Sequence, residues 1–494
     1  MHSSRISNLM LLAFCFILSM SATAQKQPAR TLLLEIPGAD PSILKGTPLV
    51  YDDYVRDAVL SDVRGRMLVL ASHAESELLR ERGIKFSVLL EDSSQLTLAK
   101  RAYYGPSMRM PAIYHTYERA TAEIDSLVKV YPHLIKKFPI GKTEQEGRTI
   151  FAVKITNGIE KHQDKPSIMF DGCHHSDEVM GAEICMAIIH ELVSKYGSDP
   201  EVSDWLNRFN IVVVPVVNVD GHTVVTHSID PRWRKNTHDT NHNGVLYEYP
   251  EGVDINRNYD FNWAHGGSDD TLSERYRGAY PFSEAENRAM RELASKERFL
   301  CSITYHSQGE VIYYPWTWFG RKAPDDILLT TIANGLAGSI RTMSGDTCYK
   351  AEYGAGTVGQ SYPWLYGVLG TFDFVVETGK GSAIFPEEEV PGIIKSNLAG
   401  VHYLLNRAKG PGLTGHVLDG RTGKPLEATV WFPTIETEDI HRRTTEPAFG
   451  RYSRLLLPGK YSIVVSCSGY QTKVFKNVEV QKGDWTTLDV KLEP

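Results

Sequence analysis

The feature that most constrains this sequence is a nearly uninterrupted β-branched run from Ile211 to Val217, broken only by Pro215. A strand that is apolar on both faces is typical of a sheet covered by helices on both sides. A similar short strand is predicted at Ser167 to Phe170, and apolar residues at helical spacing follow it from Val179 to Val193. Because strands alternate with helices here, the sequence predicts an α/β domain.

Further helices are predicted from their end signals and spacing. Apolar residues recur at helical intervals after Thr116, and this helix should end before Pro132. The segment Ser283 to Glu286 has the pattern of a capping box, which predicts a helix reaching about Lys296. Residues Ser72 to Arg82 are also helix-like within an N-terminal region of modest alternation, for which we expect a small α+β domain.

The pattern changes after the segment Lys409 to Gly412, which is rich in glycine and proline. Short alternating stretches lie between turn residues from there to the end of the chain. This pattern predicts an all-β sandwich of about 80 residues. The predicted strands are Gly415 to Leu418, Ala428 to Phe432, Tyr461 to Ser466 and Leu488 to Leu492.

The first residues have the features of a cleaved signal peptide. Arg5 supplies a positive charge, and the apolar stretch from Leu9 to Met20 is too short to span a bilayer comfortably. Ala22 and Ala24 fit a cleavage signal, so we expect cleavage after Ala24. No later segment is long and apolar enough to cross a membrane, and the protein is expected to be secreted or periplasmic, without membrane insertion.

Composition excludes some classes of function. The chain has 494 residues, which favours two or three domains, and its 42% hydrophobic and 23% charged residues indicate a packed protein. A net charge of −7 without a basic run argues against nucleic acid as the main partner. Five cysteines remain after the signal, and their scattered positions suggest core residues more than a disulfide framework.

The pattern His-x-x-Glu occurs twice, at His115/Glu118 and at His175/Glu178. The first pair lies at the start of a helix in polar surroundings, where a solvated surface is the favoured interpretation. The second pair lies between the strand that ends near Phe170 and the helix that begins near Met180. Ligands in open α/β sheets bind at the carboxyl ends of strands, so the second pair is the better candidate for a metal site.

A catalytic zinc site needs three nitrogen or oxygen ligands and an open position for water. His306, at the end of another predicted strand, qualifies as the third ligand beside His175 and Glu178. His174 is a rival to His175, because it forms its own His-x-x-Asp pattern with Asp177.

Several ordered segments resemble the zinc metallocarboxypeptidases, whose pattern is His-x-x-Glu followed much later by His-Ser. The resemblance runs from about Tyr114 to about Leu405 and includes the spacing from Trp364 to a glutamate at position 377. It implies a mixed, largely parallel sheet covered by helices. The matching segments are Asn218 to Gly221, Trp233 to Lys235, Val253 to Asn258, and Ser307 after His306.

The resemblance also implies roles. His175, Glu178 and His306 would hold one zinc ion, and Glu377 would act as general base and then acid. Arg234 would stabilise the oxyanion of the intermediate. Asn256 would bind the terminal carboxylate of the substrate. Arg257 would share the carboxylate, since a guanidinium binds carboxylate bidentately.

The sequence departs from the family pattern at Asp177, where many relatives have arginine, and at Gln308, where tyrosine is common. The tyrosine that closes over substrate is assigned to Tyr353, with Tyr349 as the poorer choice. Counted back from Trp364, the resemblance to the family implies that Tyr362, next to Ser361, lies at the base of the side-chain pocket. Because Tyr362 and Thr317 are uncharged, we predict an apolar or aromatic C-terminal substrate residue, although Asp373 could still point inwards.

The segment Asp239 to Gly244 has oxygen-bearing residues at Asp239, Asn241 and Asn243, as at the start of a calcium loop. The twelfth position is Pro250 instead of glutamate, so the segment is not an EF-hand. A plain polar turn is the favoured interpretation and a structural Ca²⁺ ion the alternative.

The resemblance extends to the flanking regions. We expect a signal peptide at 1–24, an N-terminal pro-domain or accessory domain at 25–110, and a zinc carboxypeptidase domain at 111–408. Residues 412–494 resemble a transthyretin-like domain. The predicted protein is a monomeric enzyme that acts on peptide or protein C-termini. The alternatives are a zinc amidase of the same fold, acting on cell-wall peptides or acyl-amino acids, and a non-catalytic peptide-binding protein.

Overall fold

A computed structural model describes residues 31–37, 44, 59–60, 66–90, 109–161, 163–247, 250–318, 321–354 and 358–494. The signal peptide predicted at 1–24 lies outside these residues. The described part of the N-terminal region forms a four-stranded sheet of order β2-β3-β1-β4 with one helix and a small core of its own. Its elements are β1 (Thr31–Pro37), β2 (Val59–Leu60), β3 (Arg66–Ser72), α1 (His73–Glu81) and β4 (Ser87–Leu90).

The central region is built on an eight-stranded sheet of order β13-β10-β14-β9-β7-β8-β6-β5. The four strands β14, β9, β7 and β8 are neighbours and run parallel, so their carboxyl ends meet at one edge. The outer strands add antiparallel pairings, which makes the sheet mixed, as predicted. Its strands are β5 (Ile135–Lys142), β6 (Thr149–Ile155), β7 (Ser167–Gly172), β8 (Asn210–Val214), β9 (Cys301–His306), β10 (Val311–Tyr314), β13 (Lys350–Tyr353) and β14 (Phe372–Glu377).

Helices cover this sheet, and short strands β11 (Thr317–Trp318) and β12 (Arg321–Lys322) form a separate hairpin. The helices are α2 (Tyr117–Val130), α3 (Met180–Lys195), α4 (Pro200–Arg208), α5 (Val219–Thr226), α6 (Ala285–Glu297), α7 (Asp326–Ser339), α8 (Ser361–Trp364) and α9 (Val390–Arg407). Helix α9 packs between α3 and α7. Short 3₁₀ turns occupy Ile255–Arg257 and Trp263–His265, and a π-helical turn occupies Leu365–Leu369.

The β-branched run forms a strand shorter than predicted. Strand β8 ends at Val214, because Pro215 has no N–H to donate to the sheet. The chain then turns towards the end of β7, where the N–H groups of Val217 and Asn218 donate to Gly172 and Cys173. The broken strand therefore brings Asn218 beside the segment that carries His175.

A close approach at the end of β7 fixes the start of α3. A Cβ atom added at Gly172 would lie 2.6 Å from the carbonyl carbon of Gly181. Glycine at both positions lets the first turn of the helix lie directly against the strand end. This contact holds the turn between Gly172 and Met180, which contains His175 and Glu178.

The helix predicted after Ser283 is present, but its predicted capping box is wrong. The helix begins at Ala285 with Glu284 as the N-cap residue and no side-chain cap. The hydroxyl of Ser283 instead donates to the Glu284 carboxylate, 2.7 Å away. The amide of Asn258 also donates to this hydroxyl, which draws Ser283 away from the helix end.

The C-terminal region forms the predicted β-sandwich, with sheets of order β17-β15-β20 and β16-β18-β19 and with β21 pairing β15. Its interior contains the buried residues Leu413, Val430, Ile463 and Val490. The strands are β15 (Gly412–Asp419), β16 (Thr429–Trp431), β17 (Arg451–Leu455), β18 (Gly459–Ser466), β19 (Lys473–Val480), β20 (Trp485–Thr487) and β21 (Val490–Leu492).

Two sequence expectations concern thiols and membranes. The five cysteines in the described ranges are all free, and Cys173, Cys185 and Cys301 are buried. Among the helices that the structure describes, none has the length and apolar character needed to cross a bilayer.

Candidate active site

Three predicted ligands meet in one buried cluster at the carboxyl edge of the sheet. His175 and Glu178 lie in the turn between β7 and α3, and His306 is the last residue of β9. The Nδ1 atoms of His175 and His306 are 3.1 Å apart. The carboxylate of Glu178 lies 3.1 Å from the His175 Nδ1 and 2.8 Å from the His306 Nδ1. Parallel pairing of β7 with β9 causes this convergence.

The donor set fits a zinc ion. Two imidazoles and one carboxylate are a known ligand set of catalytic zinc, and donors held 2.0–2.1 Å from a tetrahedral ion lie roughly 3.3 Å apart. His175, Glu178 and His306 form the one potential metal-binding group found in the part of the chain that the structure describes. Burial alone would raise the pKa of Glu178, but the two histidines lower it well below its ordinary value. The carboxylate is therefore charged, as a ligand must be.

The structure separates the two adjacent histidines. The Nε2 of His174 lies 2.8 Å from the Tyr259 hydroxyl, and its Nδ1 lies 3.3 Å from Asp171. His174 is thus held inside the sheet face, beside the His306 ring but outside the ligand group. Only His175 of the pair belongs to the metal cluster.

Asp254 is a central residue of the site that the sequence reasoning missed. Its carboxylate lies 3.3 Å from the His175 Nε2 and accepts a bond from the Asn256 N–H. It also accepts a 3.1 Å bond from Arg234. A carboxylate on the far nitrogen of a ligand histidine fixes the ring and raises its basicity. The position of Asp254 within the matching segment Val253 to Asn258 was the available clue.

Arg234 reaches the cluster from the other side of Asp254. Its Nη1 lies 3.7 Å from the Glu178 carboxylate, and the side chain is only 9% exposed. The segment is held in place because the Ser176 N–H donates to the Arg234 carbonyl, 3.0 Å away. The guanidinium therefore lies beside the metal cluster, where negative charge can be stabilised.

Asn256 and Arg257 lie in the 3₁₀ turn that follows Asp254. The Nδ2 of Asn256 is 3.3 Å from the His306 Nε2, and its Oδ1 accepts a bond from the Ser361 N–H. The Arg257 guanidinium donates to the Asn256 carbonyl and lies 3.8 Å from Asp254. Both side chains are buried next to the cluster.

Glu377 is the last residue of β14 and pairs in register with His306. Its side chain is fully enclosed, and its Oε2 has no hydrogen-bond partner among the described residues. Burial raises the pKa of Glu377 well above its ordinary value. A carboxylate whose pKa is raised is a stronger base, which suits a group that accepts and then returns a proton.

The hydroxyl of Ser307 points away from the cluster and lies 2.8 Å from the Thr378 hydroxyl. Its backbone N–H instead donates to the Glu178 carboxylate, 3.1 Å away. Ser307 therefore orients the Glu178 carboxylate through its main chain. The next residue, Gln308, has a buried Oε1 without a hydrogen-bond partner within the described ranges.

The structure does not bring Tyr353 to the cluster. Its hydroxyl donates to Asp326 and accepts from Lys322, both near the start of α7. The alternative, Tyr349, is buried, and its hydroxyl accepts a bond from the Gly379 N–H. Tyr349 therefore contacts the segment just after Glu377, whereas Tyr353 contacts the region around the start of α7. The reason is that β13 directs Tyr353 against Tyr314 and the helix α7.

Tyr362 is buried in α8, and its hydroxyl lies so near Gly354 that an added Cβ would be 2.0 Å away. Asp373 lies on β14, fully buried, and accepts bonds from Ser302 and Thr304. Asp171 shares the Thr304 hydroxyl. Burial and the charge of Asp171 raise the pKa of Asp373 to about 7.

The prediction that His115 lies on a solvated surface is wrong. The ring is 8% exposed, and its Nδ1 lies 2.7 Å from Glu183 on α3. Glu183 also accepts a bond from the His115 backbone N–H. Local polarity suggested a solvated helix start, but tertiary packing supplies a buried carboxylate instead. Glu118 remains on the surface, facing His227.

The segment Asp239 to Gly244 is an exposed turn. The Asp239 carboxylate accepts bonds from the N–H groups of Asn243 and Gly244, at 3.2 and 2.8 Å. The side chains of Asn241 and Asn243 likewise accept bonds from backbone N–H groups. Nothing found in the turn supports a Ca²⁺ ion.

Comparisons with known proteins identify the family of the chain. Residues 120–400, more than half of the chain, match the family described as zinc carboxypeptidase. Residues 412–493 match the carboxypeptidase regulatory-like domain. Carboxypeptidase B of Astacus astacus is 32% identical over 308 residues, which are 60% of this chain and 97% of that protein. Carboxypeptidase B of Bos taurus is 26% identical over 350 residues, covering 67% and 80%.

Solved structures show the same fold. Carboxypeptidase A from Helicoverpa armigera superposes with a TM-score of 0.57 at 22% identity, covering 76% of this chain and 96% of that one. Thrombin activatable fibrinolysis inhibitor superposes with a TM-score of 0.56 at 20% identity, covering 76% and 98%. By its family match, the chain belongs to the zinc carboxypeptidases and is a metallocarboxypeptidase hydrolase with a carboxypeptidase regulatory-like domain at its C-terminal end.

Proposed function

We propose that the protein removes C-terminal residues from peptides, with zinc held by His175, Glu178 and His306 and with Glu377 as general base. The observation that supports this most is the position of Glu377. It ends the strand next to the one that ends in His306, so base and ligand share one edge. When bound, zinc would supply Lewis-acid chemistry and lower the pKa of a water molecule to about 7.

Glu377 accepts the proton of the attacking water and returns it to the leaving amine. The enclosure of its side chain raises its pKa, which makes the carboxylate a stronger base for the proton of the attacking water. Arg234, held beside the cluster by Asp254, stabilises the negative oxygen of the tetrahedral intermediate. These roles account for hydrolysis but not for its restriction to chain ends.

Asn256 and Arg257 supply that restriction. They adjoin the metal cluster, and a guanidinium with an amide can bind a terminal carboxylate through several charge-assisted hydrogen bonds. A substrate without the terminal carboxylate would lose these charge-assisted hydrogen bonds. The sequence alternatives, a zinc amidase and a non-catalytic binding protein, have no supporting observation of their own.

The role of Glu377 is tested by Glu377→Gln, which keeps the shape of the side chain. Loss of a general base should lower kcat by roughly 10²–10⁴-fold, with bound zinc unchanged. Glu310→Gln serves as the control, because Glu310 lies nearby and its carboxylate binds the Met343 N–H instead. If Glu377→Gln kept full activity with zinc bound, Glu377 would have no part in the mechanism.

We propose a preference for apolar or aromatic C-terminal residues. Tyr362 and Thr317 are uncharged, and Asp373 is wholly buried beneath its hydrogen bonds with Ser302 and Thr304. Matched peptides that end in phenylalanine or arginine provide the test. Phenylalanine should be released faster, and faster release of arginine would show that an acidic group reaches the pocket.

We propose further that the protein is secreted or periplasmic after cleavage behind Ala24, that it is monomeric, and that residues 25–110 are a pro-domain or an accessory domain. Edman sequencing of the active protein distinguishes a pro-domain from an accessory domain. A start at Gln25 indicates an accessory domain, and a start near residue 111 indicates a removed pro-domain. A structural Ca²⁺ ion at Asp239 stays a prediction. If a calcium chelator left the melting temperature unchanged, that result would count against the ion.

A further inference from the structure

The C-terminal sandwich inserts two arginines into the central region. Asp325, at the N-cap position of α7, is buried, and both of its carboxylate oxygens accept 2.9 Å bonds from Arg454 on β17. Arg443, in the loop that follows β16, donates to the same carboxylate from 3.3 Å. Arg454 also contacts Glu436, so the charges alternate in sign across a buried boundary. Burial alone would raise the pKa of Asp325, but the two arginines lower it.

Tyr366 connects this charge cluster to the side-chain pocket. Its hydroxyl donates to the Asp325 carboxylate, 2.7 Å away, and accepts a bond from the Asp325 N–H. Arg443 lies over its ring, 5.5 Å from the centroid. Tyr366 belongs to the π-helical turn Leu365–Leu369, which follows Tyr362 and Trp364 without a break.

A second contact from the sandwich holds the same turn. The His441 N–H donates to the Gly367 carbonyl, 2.7 Å away. On its other side Gly367 faces Phe261, since an added Cβ would lie 2.3 Å from that ring. The turn is therefore enclosed between the sandwich and the wall of the central region. A π-helical turn has irregular hydrogen bonding and depends on such contacts for its geometry.

The upstream end of the turn leads directly into the proposed binding site. The Ser361 N–H donates to the Asn256 Oδ1, whose amide nitrogen faces His306. Tyr362 is the next residue, assigned to the base of the side-chain pocket. A shift of Tyr366 would thus move Tyr362 in the same helical segment, while the proposed zinc ligands lie on β9 and in the turn between β7 and α3.

We propose that the sandwich helps to shape the side-chain pocket. Arg443 and Arg454 act through Asp325 and Tyr366. Together they position the segment Ser361–Leu369 and thereby Tyr362. These four are positioning residues, because they would act on the substrate only through Tyr362. The inference deepens the proposed function, since it rests on a pocket that accepts the C-terminal side chain. It predicts that damage to the boundary affects binding of large C-terminal residues before it affects the chemical step.

The test uses the full-length zinc enzyme with Arg443→Ala and with Tyr366→Phe, which removes only the connecting hydroxyl. Asp439→Asn is the matched control, because Asp439 forms a surface ion pair with Arg321 across the same boundary. KM and kcat are measured on peptides that differ only in a C-terminal phenylalanine or alanine. Hydrogen exchange of the amides in residues 361–370 and bound zinc are measured on the same samples.

Both test variants should raise KM for the phenylalanine peptide by roughly tenfold and leave KM for the alanine peptide within about twofold. Amide exchange in 361–370 should become faster, bound zinc should stay unchanged, and the control should match the wild type. Equal changes of KM on both peptides would overturn the inference. A lower melting temperature without a change of KM would also overturn it, because the boundary would then only stabilise the fold. Tyr366→Phe keeps the test available if Arg443→Ala does not fold.

Hydrogen exchange separates this inference from the proposed function. If the wild type cleaves neither peptide but exchange in 361–370 rises in both variants, the positioning stands and the proposed function fails. If the wild type cleaves both peptides and exchange is unchanged in the variants, the proposed function stands and the positioning fails.

Discussion

At the scale of single residues, the site depends on which of two adjacent histidines faces the metal. His175 points to Glu178 and His306, while His174 lies between Tyr259 and Asp171. We therefore expect His175→Ala to abolish stoichiometric zinc binding and His174→Ala to retain it at some loss of stability. Zinc content by elemental mass spectrometry, with the melting temperature of each variant, checks this. Zinc loss in His174→Ala with retention in His175→Ala would reverse the assignment.

Motif spacing located the three residues that the structure brings together as a candidate metal site, because His-x-x-Glu and His-Ser are local patterns at strand ends. It could not find Asp254, whose role arises only when the fold brings its carboxylate to His175. It misjudged His115 for the same reason, since Glu183 lies 68 positions away in sequence. It could not place Tyr353, because a hydroxyl's partners depend on packing against a helix that spacing does not reveal.

At the scale of elements, the parallel strands β7, β9 and β14 bring two aspartate side chains together on one face of the sheet. Asp171 and Asp373 share the Thr304 hydroxyl, and Asp373 keeps its proton up to about pH 7. An unfolded aspartate has a pKa of about 3.9, so between these values the folded state binds more protons and stability falls as pH rises. This contribution is present below the lower value and is lost once the pH exceeds the upper one.

Asp373→Asn, which cannot ionise, should therefore have a higher melting temperature than the wild type at about pH 8, and the difference should shrink at about pH 5. Differential scanning calorimetry at the two pH values measures it. Asp346→Asn, in an exposed turn, is the control and should show no such pH dependence. A difference that grew as pH fell would contradict the buried carboxylate pair.

Element positions were largely predictable, because apolar periodicity reflects burial directly. Strand β7 and helix α3 occur where the periodicity predicted them, and α2 begins after Thr116, which caps it. The errors arose where a single residue decides an element end. Pro215 stops β8 early, and Asn258 and Glu284 bind Ser283 away from its predicted capping role.

At the scale of the whole molecule, three packed regions follow one another along the chain, but the boundary between the last two is not a passive linker. Asp325, Arg443 and Arg454 meet from distant parts of the sequence, in a contact that composition and periodicity cannot reveal. The fold class and the C-terminal sandwich could be predicted from sequence. The buried charges that join the sandwich to the central region could not be predicted, because each arginine alone has the pattern of an ordinary surface residue.

The central claim is that this molecule is an exopeptidase, in which a zinc site hydrolyses and a buried arginine and amide select the chain end. It is tested most directly by comparing one peptide with a free C-terminal carboxylate and the same peptide as its C-terminal amide. With the zinc enzyme, we expect the free acid to be cleaved at its last bond at a kcat/KM roughly a hundredfold above that of the amide, because the charge-assisted bonds to Arg257 and Asn256 are lost. Equal cleavage of the two peptides would contradict the account.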